Sequence, residues 1–176
     1  MEELFGTTPL LSKNGEVNPA DALKDAKFVC IYFSMHNCPP CREFTPIFAD
    51  LYKEINESGK VFEVVFVSGD KTQEEFELYY GEMPWLALPK GDSRLPPMAK
   101  KFEVKGVPRL IVLRPDGSVI NNSAVQKVTQ EGPAAIEEFL AAWVVLDLTS
   151  SMCNKSILVN LFLSKKIQSK KDFQIS

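Results

Sequence analysis

Histidine is nearly absent from this sequence, which has one His and four Cys in 176 residues. This scarcity counts against a zinc site, because a Cys-x-x-Cys pair needs a second pair of Cys or His ligands. The formal net charge of −3 gives no general case for nucleic-acid binding. Four cysteines also do not resemble the disulfide framework of a small secreted protein. We therefore expect no metal, no cofactor and no nucleic-acid partner.

Long hydrophobic segments are missing as well. No apolar run approaches the ~20 residues that span a bilayer, and the acidic N-terminus, interrupted at Pro9, does not resemble a signal peptide. We therefore expect a cytoplasmic protein, with partition into the nucleus left open. Hydrophobic residues nevertheless make up 45% of the chain, which is enough for a sizeable core. The sequence predicts one domain over residues 1–148 and an extension over residues 149–176.

The residues that organise the chain are Cys-Pro-Pro-Cys at positions 38–41. An apolar run at 28–33 precedes them and a helical pattern follows, which predicts a strand, a short loop and a helix. Cys38 would then lie at the helix N-terminus, where free N–H groups and the macrodipole favour a thiolate, the attacking species in disulfide exchange. Cys41, one turn later and more buried, suits the role of resolving thiol. So small a disulfide ring gains little loop-closure entropy, which favours a redox over a structural bond.

Other patterns predict the elements around this motif. Asn-Gly at 14–15 is typical of a tight hairpin. A second apolar run at 61–67 predicts a strand parallel to the first, joined to it by a right-handed crossover. A third strand is predicted at 110–113, with a turn and an antiparallel partner after it. Thr72 and Glu75 have the spacing of a capping box, which predicts the start of another helix, and a final helix is predicted from near Pro133.

Val107 and Pro108 stand immediately before that third strand. Proline cannot donate to a sheet ladder, so a proline at a strand entrance marks an edge or a special turn. An ordinary trans loop proline is one interpretation. The other is a cis Val107–Pro108 bond, which would turn the chain sharply and expose the Val107 backbone to an extended substrate.

The order of these motifs resembles the thioredoxin fold, and within it the tryparedoxin and nucleoredoxin branch. The matching segments run from Phe33 to Pro46, Val65 to Asp70, Met83 to Pro89 and Gly106 to Leu113. The resemblance covers roughly residues 5–145. It implies an α/β protein with a central mixed β-sheet flanked by helices and an N-terminal hairpin.

The same resemblance implies a protein-disulfide reductase. Cys38 would attack the substrate and Cys41 would resolve the mixed disulfide, so the dithiol itself replaces a cofactor. Pro108, in the cis form, would flank Cys38 and orient the substrate together with Val107. The implied partners are proteins that contain disulfides and an electron donor, either a thiol or a reductase, which the sequence does not identify.

Two positions depart from the family pattern. Asn37 stands where the family has Trp before the first cysteine, and we expect this change to alter substrate contact more than sulfur chemistry. Tyr32 stands where many thioredoxins have a buried acid, so proton transfer with Cys41 needs another group. Asp70 is the candidate; a solvated Asp that caps the next helix is an equally supported interpretation.

The C-terminal extension lies outside the resemblance. An apolar run at 156–163 is followed by four lysines at 165, 166, 170 and 171. Such a segment could bind a membrane surface or a partner. We favour instead an added helix or strand, or a poorly ordered extension with no role.

A second function class stays open beside the reductase. The cysteine pair could instead switch the affinity of a redox-sensitive binding or signalling module with little turnover. A peroxide-reducing enzyme is less favoured, because the residues expected around a peroxidatic cysteine are missing.

Overall fold

The computed structural model describes the backbone of residues 1–150 and the side chains of residues 1–144. One compact unit comprises Met1–Trp143, and a second begins at Val144. The predicted boundary at residue 148 stays a prediction, and the predictions for the apolar run and lysines of the extension lie outside the described residues. Within the described part of the chain, no helix has the length and apolar character needed to cross a membrane.

The described chain forms seven strands and seven helices. The strands are β1 (Leu10–Ser12), β2 (Gly15–Val17), β3 (Phe28–Ser34), β4 (Phe62–Ser68), β5 (Leu86–Ala87), β6 (Arg109–Leu113) and β7 (Val119–Asn121). The helices are α1 (Glu2–Phe5), α2 (Pro19–Leu23), α3 (Pro39–Asn56), α4 (Gln73–Gly81), α5 (Leu95–Lys101), α6 (Val125–Glu131) and α7 (Pro133–Ser150). The sequence patterns did not predict α1, β5 or α6, which are short elements.

The strands form one mixed sheet in the order β2-β1-β5-β4-β3-β6-β7. β3 pairs in parallel with β4 and antiparallel with β6, so it lies at the centre of the sheet. All seven residues of β3 and all seven of β4 are buried, as their nearly continuous apolar sequences predict. The predicted N-terminal hairpin, the parallel β3–β4 pair and the antiparallel β6–β7 pair are confirmed.

Alternate residues of each central strand point to opposite faces of the sheet, so the core has two halves. In β3, Phe28, Cys30 and Tyr32 belong to the half that packs against α3, α4, α6 and α7. Val29, Ile31 and Phe33 belong to the half that packs against α1, α2 and α5. The end of β3 leads directly into the cysteine motif, so the centre of the sheet fixes its position.

Helix α3 begins and continues as its sequence requires. Cys38 is the N-cap, and prolines occupy the first two helical positions, where no backbone donor is needed. Pro46 lies inside the helix, which continues across it to Asn56. The buried residues Phe44, Phe48 and Leu51 follow the three- and four-residue spacing of one helical face.

Candidate active site

Cys38 and Cys41 form a disulfide at the N-terminus of α3, with their Cα atoms 5.2 Å apart. The backbone N–H of Cys41 donates to Sγ of Cys38 across 3.3 Å. A donor in this position stabilises negative charge on the sulfur, as does the helix macrodipole. Cys41 has no exposed surface and Cys38 keeps 6%. The expected arrangement is therefore present, with the more accessible sulfur at the helix N-cap.

Val107 and Pro108 lie beside the disulfide. The peptide bond between them is cis, so the prediction of a cis bond is confirmed. The carbonyl oxygen of Val107 is 3.8 Å from Sγ of Cys38. The loop before β6 and the N-terminus of α3 thus meet at the sulfur expected to attack, although their sequence positions are far apart.

Asn37 is held by helix α4 rather than projecting freely. Its side-chain amide donates to Oε1 of Glu75 across 2.6 Å. Glu75 also completes the predicted capping box with Thr72, which opens α4. Hydrogen bonds from the backbone N–H groups of Lys71 and Thr72 lower the pKa of the Glu75 carboxyl, with a smaller contribution from Asn37. An ionised Glu75 therefore anchors the polar residue that precedes the cysteine pair.

Asp70 organises the loop between β3 and α3. Only 6% of its surface is exposed. Its Oδ1 accepts from the backbone N–H of His36 across 2.6 Å, and its Oδ2 accepts from the Ser68 hydroxyl across 2.7 Å. The Asp70 carboxylate therefore holds the segment that leads into Cys38. Its transfer of a proton to or from Cys41 stays a prediction.

A shallow groove opens on the exposed side of Cys38. Six residues line it: His36, Asn37, Cys38, Pro39, Arg42 and Glu43. Nη1 of Arg42 donates to both carboxylate oxygens of Glu82, at 2.8 and 3.0 Å. At the position where the resemblance implies a Trp, the groove has Asn37, which is hydrogen-bonded to Glu75.

A buried cluster of hydroxyl groups lies under the disulfide. The Thr45 hydroxyl is 2.8 Å from the Tyr32 hydroxyl and 2.6 Å from the Tyr79 hydroxyl. The Tyr79 hydroxyl is also 2.9 Å from the Ser34 hydroxyl, and it donates to the Cys41 carbonyl across 3.2 Å. Burial, followed by the proximity of Tyr79, raises the pKa of Tyr32 well above its usual value. Tyr32 therefore stays protonated and is a hydrogen-bond donor.

Sequence reasoning missed this cluster. Each member of the cluster fits the pattern of the strand or helix that contains it. Tyr32 and Ser34 lie in a strand, and Thr45 and Tyr79 lie in helices. Only one sequence feature pointed to this region: Tyr32 stands where a buried acid is expected, so other polar groups had to lie beneath the cysteines. The helix packing that brings Tyr79 to Thr45 cannot be inferred from their separate sequence patterns.

The remaining cysteine among the described residues is a core residue. Cys30 is buried in β3. Burial raises the pKa of its thiol, and the nearby Glu63 adds to the effect. Such a thiol is a poor nucleophile. Redox chemistry in the described part of the chain therefore centres on Cys38 and Cys41.

The described residues also contain no group of three or more His, Cys, Asp or Glu placed to hold a metal ion. The expectation that the reaction uses no cofactor stays a prediction.

Comparison with known proteins identifies relatives of this chain. A model of the thioredoxin-like family matches residues 25–119. Probable nucleoredoxin 1 of Arabidopsis thaliana is 47% identical over 109 residues, which are 62% of this chain and 19% of that protein. Tryparedoxin of Trypanosoma brucei brucei is 42% identical over 134 residues, which are 75% of this chain and 91% of that protein.

Solved structures agree with these matches. A structure of tryparedoxin II complexed with glutathionylspermidine superposes with a TM-score of 0.69 and is 35% identical, covering 76% of this chain and 93% of that one. The predicted fold and the predicted resemblance to the tryparedoxin and nucleoredoxin branch are confirmed. The chain spans less than a third of the length of the curated nucleoredoxins that it matches.

Proposed function

The chain belongs to the thioredoxin-like family, and from this premise we propose that it is a thiol–disulfide oxidoreductase that reduces disulfides in proteins. One observation carries the proposal: Sγ of Cys38 accepts a hydrogen bond from the Cys41 N–H at the start of α3, while its partner sulfur is fully buried. This arrangement stabilises a thiolate on the accessible sulfur and keeps the second thiol within reach of it.

The reaction transfers two electrons in two exchange steps. In the reduced protein, the Cys38 thiolate attacks one sulfur of a substrate disulfide and displaces the other sulfur as a thiolate, which takes up a proton. The Cys41 thiol then loses its proton and attacks Sγ of Cys38, which releases the second substrate thiolate. The substrate is reduced, and the protein is left with the Cys38–Cys41 disulfide that the structure contains.

Three residues around Cys38 would bind the substrate. The Val107 backbone lies 3.8 Å from Sγ of Cys38 through its carbonyl oxygen and can pair with an extended segment of the substrate. Pro108 fixes the chain beside it. Asn37 forms the polar side of the groove, so this face suits polar side chains near the substrate disulfide.

Asp70 is our candidate for proton transfer. Its position favours this role, because the carboxylate is buried and binds the segment that leads into Cys38. Its two hydrogen bonds also fit a purely structural role in this loop. The interpretation of Asp70 as a solvated cap of the next helix is wrong, because Asp70 is buried and Thr72 is the N-cap of α4. Substitution by Asn, considered in the Discussion, separates the two roles.

Regeneration requires a thiol donor or a reductase. The structure of tryparedoxin II with glutathionylspermidine makes a low-molecular-weight glutathione conjugate one candidate donor for this chain. We propose that the protein works in a reducing compartment, the cytoplasm or also the nucleus, and cell fractionation distinguishes these two alternatives. A compartment whose redox potential is set by glutathione would keep the Cys38–Cys41 dithiol reduced and able to donate electrons. Contact of the C-terminal extension with a membrane remains the less favoured proposal.

Reduction of insulin with dithiothreitol as donor tests the proposed function. We expect turnover by the full chain, its loss in Cys38→Ser, and accumulation of a mixed disulfide in Cys41→Ser, because the resolving thiol is then missing. Cys30→Ser is the matched control, since it removes a buried thiol away from the helix N-terminus. Turnover that survives in Cys38→Ser would contradict the proposal.

One observation favours the second candidate, a redox-sensitive binding module. The groove lacks the aromatic side chain expected at position 37 and has instead Asn37 bonded to Glu75. Absence of insulin reduction, together with a partner that binds only one redox state of the full chain, would support the module over the reductase.

A further inference from the structure

The donor and the acceptor of each hydrogen bond in the hydroxyl cluster can be assigned by counting the hydroxyl protons. A carbonyl oxygen can only accept, so the single hydroxyl proton of Tyr79 goes to the Cys41 carbonyl. Thr45 and Ser34 must then donate to the Tyr79 oxygen. The Thr45 oxygen is left to accept from the protonated Tyr32. All four hydroxyl dipoles are therefore aligned towards the backbone of Cys41.

Tyr79 is the member of the cluster that touches the cysteine motif from helix α4. Its oxygen makes three hydrogen bonds, two as acceptor and one as donor. Its ring packs edge-on against the ring of His36, with centroids 5.9 Å apart. The guanidinium carbon of Arg42 lies 5.4 Å from the centre of the same ring. One fully buried side chain thus contacts residues on both sides of Cys38.

The backbone of Cys41 is held at both ends. Its carbonyl accepts from the Tyr79 hydroxyl, and its N–H donates to Sγ of Cys38. Fixing the carbonyl restricts rotation of the first turn of α3, and with it the direction of the N–H that faces the attacking sulfur. An aligned chain of buried hydrogen bonds also strengthens its own last member.

We propose that Tyr79 is a positioning residue, which orients the Cys41 backbone so that its N–H supports negative charge on Cys38. This inference rests on the proposed function for its biological meaning. The hydroxyl groups of Tyr32, Thr45 and Tyr79 form a buried chain of hydrogen bonds. This chain lies in the region where the resemblance implies a buried acid.

Alkylation of reduced full-length protein tests the inference without any substrate. The modification rate of Cys38 by iodoacetamide, followed by mass spectrometry across pH, gives its thiolate pKa. For Tyr79→Phe we expect a Cys38 ionisation constant lower by roughly threefold to tenfold, the size expected for one lost hydrogen bond. Because no turnover is measured, this result is independent of whether insulin is reduced.

Tyr80→Phe is the matched control. Tyr80 is the next residue of α4, and its hydroxyl donates to the carbonyls of Leu11 and Trp85, not to the cysteine motif. Both variants lose a buried hydroxyl and both should unfold at lower temperature. Only Tyr79→Phe should change the Cys38 curve. If the alkylation rate of Cys38 depends on pH in the same way in both variants, and both remain folded, the inference is overturned.

Thr45 provides a second control, because its hydroxyl donates to the Tyr79 oxygen, whereas the Tyr79 hydroxyl donates to the Cys41 carbonyl. Thr45→Val keeps the bond from Tyr79 and should change the Cys38 ionisation less than Tyr79→Phe does. The double variant should match Tyr79→Phe, because Thr45 acts on the Cys41 backbone only through Tyr79. The equilibrium with glutathione should shift towards the Cys38–Cys41 disulfide in the same order, because the reduced form loses stabilisation. An effect of Thr45→Val as large as that of Tyr79→Phe would overturn the proposed role of Tyr79.

Discussion

The two faces of the sheet are built differently, although the same strands supply both. The face that carries the cysteines is packed with stacked and edge-on rings and contains the hydroxyl cluster. The opposite face is mainly aliphatic, and its helices α1, α2 and α5 have four to seven residues each. The aromatic face therefore combines packed rings with buried polar groups, whereas the aliphatic face covers the other side of the sheet.

The polar groups of the two faces differ in the same way. On the aliphatic face, Arg94 accounts for much of the polar bonding: its guanidinium donates to the carbonyls of Phe5, Thr8 and Pro9 and pairs with Asp92. This arrangement ties the N-terminal segment to α5. On the cysteine face, the buried hydroxyls end at the backbone of Cys41. We infer that one network serves stability and the other serves the site.

The largest expected effect tests the aromatic packing itself. Phe48→Ala should destabilise the fold by about 3–5 kcal/mol, the usual cost of removing a buried Phe. Phe102→Ala makes the same truncation on the aliphatic face and should cost about 1–3 kcal/mol less, since aromatic pairs add stability beyond buried area. The four rings that pair with Phe48 are those of Tyr32, Phe44, Phe62 and Trp85. Urea unfolding measures both; equal losses would remove the energetic distinction between the faces.

Asp70→Asn should have the next largest effect if Asp70 moves protons. Asn can still accept from the His36 N–H, so the loop geometry is retained while the titrating group is lost. A positioned acid–base group contributes about 10²–10⁴ in rate, so we expect insulin reduction at neutral pH to fall by at least about tenfold. Thermal unfolding serves as the control for folding. Unchanged turnover in a folded variant would leave Asp70 with a purely structural role.

Arg94→Met should have a smaller effect, and on stability alone. Loss of the guanidinium should cost about 1–3 kcal/mol, since it leaves the partly buried Phe5 carbonyl and Asp92 carboxylate without this donor. The Cys38 alkylation curve should not change. A changed curve would mean that the two networks are not independent.

The same variant has a pH signature that can be worked out in sign. Hydrogen bonds from Arg94 lower the pKa of Asp92 in the folded protein below its ordinary value of 3.8. The stabilisation that follows from this lowered pKa is fully present above pH 3.8. It is lost as the pH falls through the pKa that Asp92 has in the folded protein. The stability difference between wild type and Arg94→Met should therefore be constant near neutral pH and shrink below about pH 4. Urea midpoints measured across this range provide the check.

The sequence predicted the features that depend on local patterns. The apolar runs gave β3 and β4 within a residue at each end, and Thr72 with Glu75 gave the start of α4. The cysteine motif and the cis Pro108 could be recognised because each has a strong family pattern. These are properties that a short segment carries by itself.

The sequence did not predict the short elements or the contacts between helices. β5 has two residues and is a strand only because β4 and β1 pair with it on either side. The bond from Tyr79 to the Cys41 carbonyl spans 38 positions and depends on how α4 packs beside α3. Such contacts arise from tertiary packing, which periodicity within one helix does not encode.

The smallest expected effect concerns the edge of the site. Asn37→Trp would replace the amide bonded to Glu75 by the aromatic side chain that the family has at this position. We expect kcat for insulin to stay within about threefold and KM to change by several-fold, since an aromatic surface binds substrate without altering the sulfurs. Asn37→Ala is the control, because it breaks the bond to Glu75 without adding a ring. If both variants shift KM equally, the Glu75 contact rather than the missing ring controls substrate binding. A large fall in kcat with unchanged KM in Asn37→Trp would instead mean that position 37 affects the reaction at Cys38. Substrate binding in the groove and the chemistry of the sulfur would then not be independent.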